Sequence, residues 1–318
     1  MTPARSLVLA RLATVLVLAA GLAGCKAGAR AGAAPAVVLD PSGSEPTAIS
    51  DLPILRQKAA MGLVDVVRAE LVPRLAEAAD AGPDPGRDAL RALAIELALR
   101  QDDQPAALEQ LQRLARDLDR LGPSASGAER ARWHILHGAL LSAQQRYAEA
   151  RGQNLEALGA LDLTRDPGLA GDAFRGLARQ QLGLGQPDKA LESVRRAMAV
   201  HKDSLAVFED GVLAVDILIA VDQPIEAVIA AGKLYDDAIA DVGPDTLAHA
   251  EALAAAASAT FASGDLDASI SFLTDARKIW RELQAARSDP SLPLSARLER
   301  RLGELDAVTR RASTGTAP

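Results

Sequence analysis

Few residues in this chain of 318 have types and spacings that could do chemistry. His134 and His137 stand one helical turn apart, a spacing that lets two imidazoles share a metal ion. No carboxylate is placed to complete the set, and both positions read as core, so they are read as packed, hydrogen-bonded histidines. His201 and His249 are isolated and read as surface residues. Asp102-Asp103 and Asp236-Asp237 pair carboxylates as acid–base sites do, but each pair reads as solvated charge at a helix end or on an exposed face. Gly122-Pro-Ser-Ala-Ser-Gly approximates a serine elbow, which needs a strand before it; here it reads as a helix–helix loop. G-x-S-x-G, H-E-x-x-H, P-loop and EF-hand patterns do not occur. The single cysteine, Cys25, rules out an intrachain disulfide and a Cys-based zinc site. Trp133 and Trp280 read as core packing. These residues predict a non-enzyme with no cofactor and no metal.

The composition says what must position them. The chain is 49% hydrophobic but only 3% aromatic, and alanine dominates the apolar fraction. Alanine is the best helix former and lets helices approach closely. Runs of β-branched and aromatic residues, which make strands, are nearly absent. The fold class is therefore all-α. The net charge of -7 lacks the basic footprint that nucleic acid requires.

From about Ile54 onward, turn residues punctuate the chain every 15–20 residues. Asp84-Pro85, Asp166-Pro167 and Asp289-Pro290 each place an acidic cap before a proline suited to the first helical position. Ser126 and Glu129 fit a capping box. Pro73 falls inside the first long helix and should kink or end it.

The N-terminus has a basic start (Arg5, Arg11), a charge-free apolar stretch from Leu12 to Gly21, and then Leu22-Ala23-Gly24-Cys25. The stretch is shorter than the ~20 residues that span a bilayer but fits a secretory signal. The last four residues resemble the bacterial lipobox. That resemblance implies a signal peptide over 1–24, cleavage before Cys25, and a lipid on its thiol that anchors the protein to the membrane on the extracytoplasmic side. Lys26 stands where an aspartate would resemble an inner-membrane retention signal, which favours the outer membrane in a Gram-negative cell. Residues 25–50, rich in Ala, Gly, Pro and Ser, read as a flexible tether.

The helical body repeats. Phe174-x₂-Leu177-Ala178-x₂-Gln181, followed by Ala190-x₃-Val194, resembles the tetratricopeptide (TPR) pattern W-x₂-L-G-x₂-Y…A-x₃-F. His134-x₂-His137-Gly138-x₂-Leu141 with Ala150-x₃-Asn154 is a second copy. Weaker copies run from Leu253 to Leu273, Gly211 to Ala231 and Arg91 to Leu111. The small residues at 107, 150, 190, 227 and 269 are spaced by 43, 40, 37 and 42, longer than the TPR period of 34. The resemblance implies a right-handed α-solenoid of about five helical hairpins over 51–311. Terminal capping helices would lie at 51–80 and 292–311, with 312–318 as a disordered tail. It also implies that the first helix of each hairpin lines a partner-binding groove. Glu96, Arg132, Asp172, Arg175, Arg179, Glu209, Asp216 and Glu251 then occupy exposed groove positions. Arg175 and Arg179, four residues apart, could hold a carboxylate. The chaperone-type clamp needs groove Lys and Asn, and the single asparagine, Asn154, falls in a second helix.

Charge is unevenly divided. Residues 203–275 carry a net -13, and residues 276–318 a net +4. This suggests an acidic docking face for a basic protein partner. The expected function is a membrane-anchored, non-catalytic protein-binding scaffold or adaptor in a cell-envelope complex. The alternatives are a solute- or cation-binding lipoprotein and a regulator of a cell-wall enzyme.

Overall fold

The computed structural model describes residues 51–76 and 84–314. The expected signal peptide, Cys25 and the expected tether lie outside the described residues. Thirteen α-helices and no strand occur among those described. A short N-terminal pair, α1 (Leu52–Ala60) and α2 (Val64–Ala76), precedes five hairpins. These are α3/α4 (Pro85–Arg100, Gln104–Leu121), α5/α6 (Gly127–Ala143, Tyr147–Ala160), α7/α8 (Pro167–Gly183, Pro187–Val200), α9/α10 (Ser204–Ala220, Pro224–Asp241) and α11/α12 (Leu247–Ala262, Leu266–Ala285). A last helix, α13 (Ala296–Thr314), follows and carries residues 312–314 of the expected tail in helical form.

The repeat register holds at every hairpin. Ala107, Ala150, Ala190, Ala227 and Ser269, the small residues of the five second helices, are all fully buried. So are Ile95, Ala178, Val215 and Ala257 at the matching crossing point of the first helices. At the second-helix positions a small side chain is needed because two helix backbones meet at close range, and a larger one would force them apart. The first helices also pack on one another along the stack. The chain is thus an all-α solenoid of TPR-like hairpins.

Each hairpin turns through one left-handed residue in the same place: Asp102 (φ 58°), Gln145 (60°), Gly185 (70°), Asp222 (58°) and Gly264 (87°). Only glycine adopts this conformation without a Cβ penalty, which is ~1–2 kcal/mol for other residues. Gln145 is exposed, so Gln145→Gly should stabilise the protein by ~0.5–1 kcal/mol after the added flexibility of the unfolded chain is deducted. A higher urea midpoint checks this; an unchanged or lower one refutes it.

Helix entry follows the capping residues in part. Asp84 accepts hydrogen bonds from the backbone N–H of Gly86 (3.1 Å) and Arg87 (3.4 Å), and Ser126 and Glu129 form the capping box. Asp166 precedes α7 without a side-chain cap bond. Asp289-Pro290 does not start a helix. Asp289 instead accepts from the Ser291 N–H in the α12–α13 loop, and Ser295, whose Oγ accepts from Leu298 N–H (3.3 Å), precedes α13. Pro73 lies within α2. The break between α1 and α2 comes earlier, at Gly62 (φ 96°), which turns tightly against Leu283 and Leu247.

α11 organises the core. Thirteen of its residues are buried, most of them alanines, as expected of a helix covered on all sides. Leu247, Ala250, Leu253, Ala254 and Ala257 face a cluster that includes Leu55, Val67, Leu93, Leu298 and Leu302. Ala248, Ala252, Ala255, Ala256 and Ala259 face a second cluster built by α7–α10. The terminal helices pack on their neighbouring hairpins, as caps do, and they also share the first cluster with each other. Arg287 after α12 clasps Asp65 of α2 with two hydrogen bonds (2.8 and 3.2 Å).

Candidate functional site

The first helices bring several of the expected groove residues to one place. A chamber of about 200 Å³ lies between α1, α3, α7, α9 and α11. Its charged wall includes Arg56, Glu96, Arg100, Asp172, Arg175 and Glu209, and its apolar wall includes Leu93, Leu97, Leu205 and Phe208. Charged and apolar groups alternate because successive turns of the first helices present different faces. The inward positions next to the chamber are polar, and those below it enter the core.

The carboxylate of Glu209 is the centre of the ion-pair network. It accepts from Arg100 (2.8 Å), Arg297 (3.1 Å) and Arg179 (3.4 Å). Burial alone would raise its proton affinity, but three guanidiniums outweigh that and hold it far below the usual carboxylate range. Glu251 is almost wholly buried and accepts from Arg297 (2.6 Å) and from Ser295 Oγ (3.0 Å). Arg297, between the two carboxylates, is held firmly protonated against the cost of its own burial. Asp216 pairs with Arg301. Three of the acids expected to greet a basic partner are therefore engaged by the cationic first turns of α13. The acidic docking face is corrected accordingly: its basic counterpart is the chain's own C-terminal helix. Arg179 contacts only Glu209, at the longest of its three distances, and crowding lowers its pKa to about 10.

A second network lies in the chamber wall and behind it. Asp210, fully buried, accepts from Arg175 Nε (2.6 Å) and from His201 Nδ1 (2.6 Å). His201 Nε2 points to the Gly168 carbonyl (3.2 Å) and to Asp172 (3.5 Å). Burial alone would depress the imidazole, but the hydrogen bonds to Asp172 and Asp210 prevail and raise its pKa to about 9. It is therefore a cation at neutral pH, with both ring nitrogens donating. Gly171 makes room for the ring, since a Cβ there would lie 2.3 Å from Nε2. The expectation that His201 and His249 are surface residues fails, because both are buried. His249 packs on Tyr235 at 5.3 Å between ring centres, and burial lowers its pKa.

Glu96 faces the chamber and pairs with Arg56 (3.4 Å). Burial is the main cause of its raised pKa, and the neighbouring Asp172 charge adds to it. Arg132 is half-buried on α5 and is not part of the chamber wall; its charge partly offsets the burial that raises the Asp88 pKa. His134 Nδ1 bonds Gln153 Oε1 (2.9 Å), and Trp133 packs against His134 and His137. Burial lowers the His137 pKa. No group of three or more His, Cys, Asp or Glu placed to hold a metal occurs among the described residues. Asn154 is buried between helices, with Gly138 and Gly176 so close that a Cβ on either would overlap its amide. Sequence reasoning missed Arg56, Arg100, Asp210, His201 and Arg297. The one available signal was the opposite charge of 203–275 and 276–318, which pairs the two segments with each other.

No protein-family model matches the sequence, and no curated protein matches it. Solved structures share the fold. A Rap protein complexed with competence and sporulation factor aligns with a TM-score of 0.53 at 11% identity, over 75% of this chain and 67% of that one. The apo form of RapI aligns at 0.50 with 9% identity, over 85% and 73%. A Podosopora anserina protein described as a putative kinesin light chain with nearly identical TPR-like repeats aligns at 0.47 with 16% identity, over 62% and 95%. The two Rap likenesses, at 0.53 and 0.50, show that the described residues share the fold of those all-α proteins.

Proposed function

We propose that this protein is a lipid-anchored, non-catalytic adaptor of the bacterial cell envelope, tethered through Cys25 and binding a protein partner with its solenoid. The observation that carries the binding role is the outer face of α10. Ile225 and Ile229, one turn apart, are 67% and 64% exposed, and Gly232 continues the same exposed stripe with open space above it. Asp222, Glu226 and Asp236 flank the stripe. An apolar centre with an acidic rim suits a partner with an apolar patch and a basic border. Covering the two isoleucines would contribute ~1.5–3 kcal/mol each. The Rap neighbour's complex with competence and sporulation factor supports a binding role for the fold. The Leu22-Ala23-Gly24-Cys25 sequence supports the anchor.

The test is a crosslinked pull-down from membranes with the wild-type protein, Cys25→Ala and the pair Ile225→Asp/Ile229→Asp. The wild type should recover a defined partner, and the isoleucine pair should lose it while keeping the far-ultraviolet circular dichroism of the wild type. Cys25→Ala should leave the membrane fraction. Retention of Cys25→Ala in membranes at wild-type level removes the anchor from the reading. Undiminished capture by the isoleucine pair removes the docking face.

A further inference from the structure

The charged groups around the chamber are not equally committed. Arg100 and Glu209 are 2.8 Å apart, and Arg175 holds both Asp172 (3.1 Å) and Asp210 (2.6 Å). Glu251 is engaged by Arg297 and Ser295, and Asp203 caps α9 through Ala206 N–H (2.9 Å). One pair differs. Arg56 on α1 and Glu96 on α3 touch through a single contact at 3.4 Å, with side chains 40% and 45% exposed. Both line the chamber. Leu93, Leu97, Leu205 and Phe208 supply the apolar wall beside the pair.

We propose that the chamber binds a free, zwitterionic α-amino acid with an apolar side chain. Its carboxylate would be taken by the Arg56 guanidinium, its ammonium by the Glu96 carboxylate, and its side chain by the leucine and phenylalanine wall. Charge balance selects this class. A bare cation entering on Glu96 would take the partner of Arg56, and a bare anion on Arg56 would take that of Glu96. A zwitterion replaces one loose pair with two charge-assisted ones and leaves the net charge of the chamber unchanged. Size selects it as well. A volume of about 200 Å³ is below the ~300–1,000 Å³ of drug-sized sites. That admits a molecule the size of leucine and excludes an oligopeptide from full enclosure. This site is separate from the α10 face and does not depend on it.

Isothermal titration of the full-length protein in detergent tests the assignment. The ligands are L-leucine, L-isoleucine, L-methionine and L-phenylalanine, with isopentylamine and 4-methylpentanoate as leucine analogues that each lack one charge. At least one amino acid should bind saturably. Both half-charged analogues should bind at least ~tenfold more weakly, because each leaves one partner unpaired. Glu96→Gln and Arg56→Gln should each weaken amino-acid binding by at least the same factor. Their circular dichroism and melting should stay near wild type, since an exposed single-contact pair adds little to stability. The assignment is overturned if no amino acid binds saturably at millimolar concentration. It is equally overturned if an analogue matches leucine, or if both variants bind as the wild type does.

Discussion

Arg297→Glu should cost this protein about 3–5 kcal/mol of stability and loosen the start of its C-terminal helix. The reason is the pair of carboxylates the guanidinium joins. Glu251 is only 4% exposed at its side chain, and Glu209 is 18% exposed. Removing the cation leaves Glu251 buried with only the Ser295 hydroxyl as a partner, and the introduced glutamate adds a like charge. Breaking a buried pair from one side carries a penalty of that size. The apolar side of α13 resists detachment, since Leu298, Leu302 and Leu305 are buried with the N-terminal helices. The variant should therefore show a lower urea midpoint and faster proteolysis in the 286–295 loop. Arg301→Glu should have a smaller effect, because its partner Asp216 is about a third exposed and water can replace the arginine. Equal effects of the two substitutions, or none from the first, would contradict the network described for α13.

The second large effect is expected at Asp210. Asp210→Ala removes the only carboxylate that Arg175 and His201 share at 2.6 Å. Both are left as buried cations beside each other, with Asp172 as the remaining acid. The expected cost is again ~3–5 kcal/mol. The wild-type network also carries a pH signature. The His201 pKa is raised to about 9 in the folded state, against ~6.5 in the unfolded chain. Its contribution is therefore fully present below pH ~6.5 and is lost as pH rises through about 9, to a total of ~3 kcal/mol. Urea unfolding from pH 6 to pH 10 should show this decline in the wild type and its absence in His201→Gln. A wild type as stable at pH 10 as at pH 6 would mean that the imidazole is not held as a cation.

The hairpins were legible because they rest on local signals. Small residues recur at the helix crossings, and each hairpin turns at a polar or glycine residue followed by a helix start, so register and hairpin number could be read without long-range information. Gln145 shows the tolerance of this reading, since it takes the left-handed turn position that glycine fills at 185 and 264. Asp289-Pro290 shows its limit. The cap-and-proline pattern is complete there, yet Arg287 and its clasp on Asp65 hold the segment as a loop, and α13 begins seven residues after Asp289.

The groove residues were legible as positions and not as contacts. The helical period placed Glu209, Asp216 and Glu251 on the inner helices, but it could not say what stands opposite them. Arg100 and Glu209 are separated by 109 residues, and Arg287 and Asp65 by 222. Such pairs arise from the path of the whole stack, to which each hairpin adds a small rotation. His201 was misread for the same reason: a histidine at a helix end looks exposed until the next inner helix brings Asp210 to it. What the sequence by itself determined is the all-α class, the five hairpins and their register, because backbone propensity and close helix crossing act over a few turns. What only the tertiary structure decided is that the acidic inner face is answered by the chain's own α13, leaving a small chamber with one loosely held ion pair, because electrostatic partners are chosen by proximity in space.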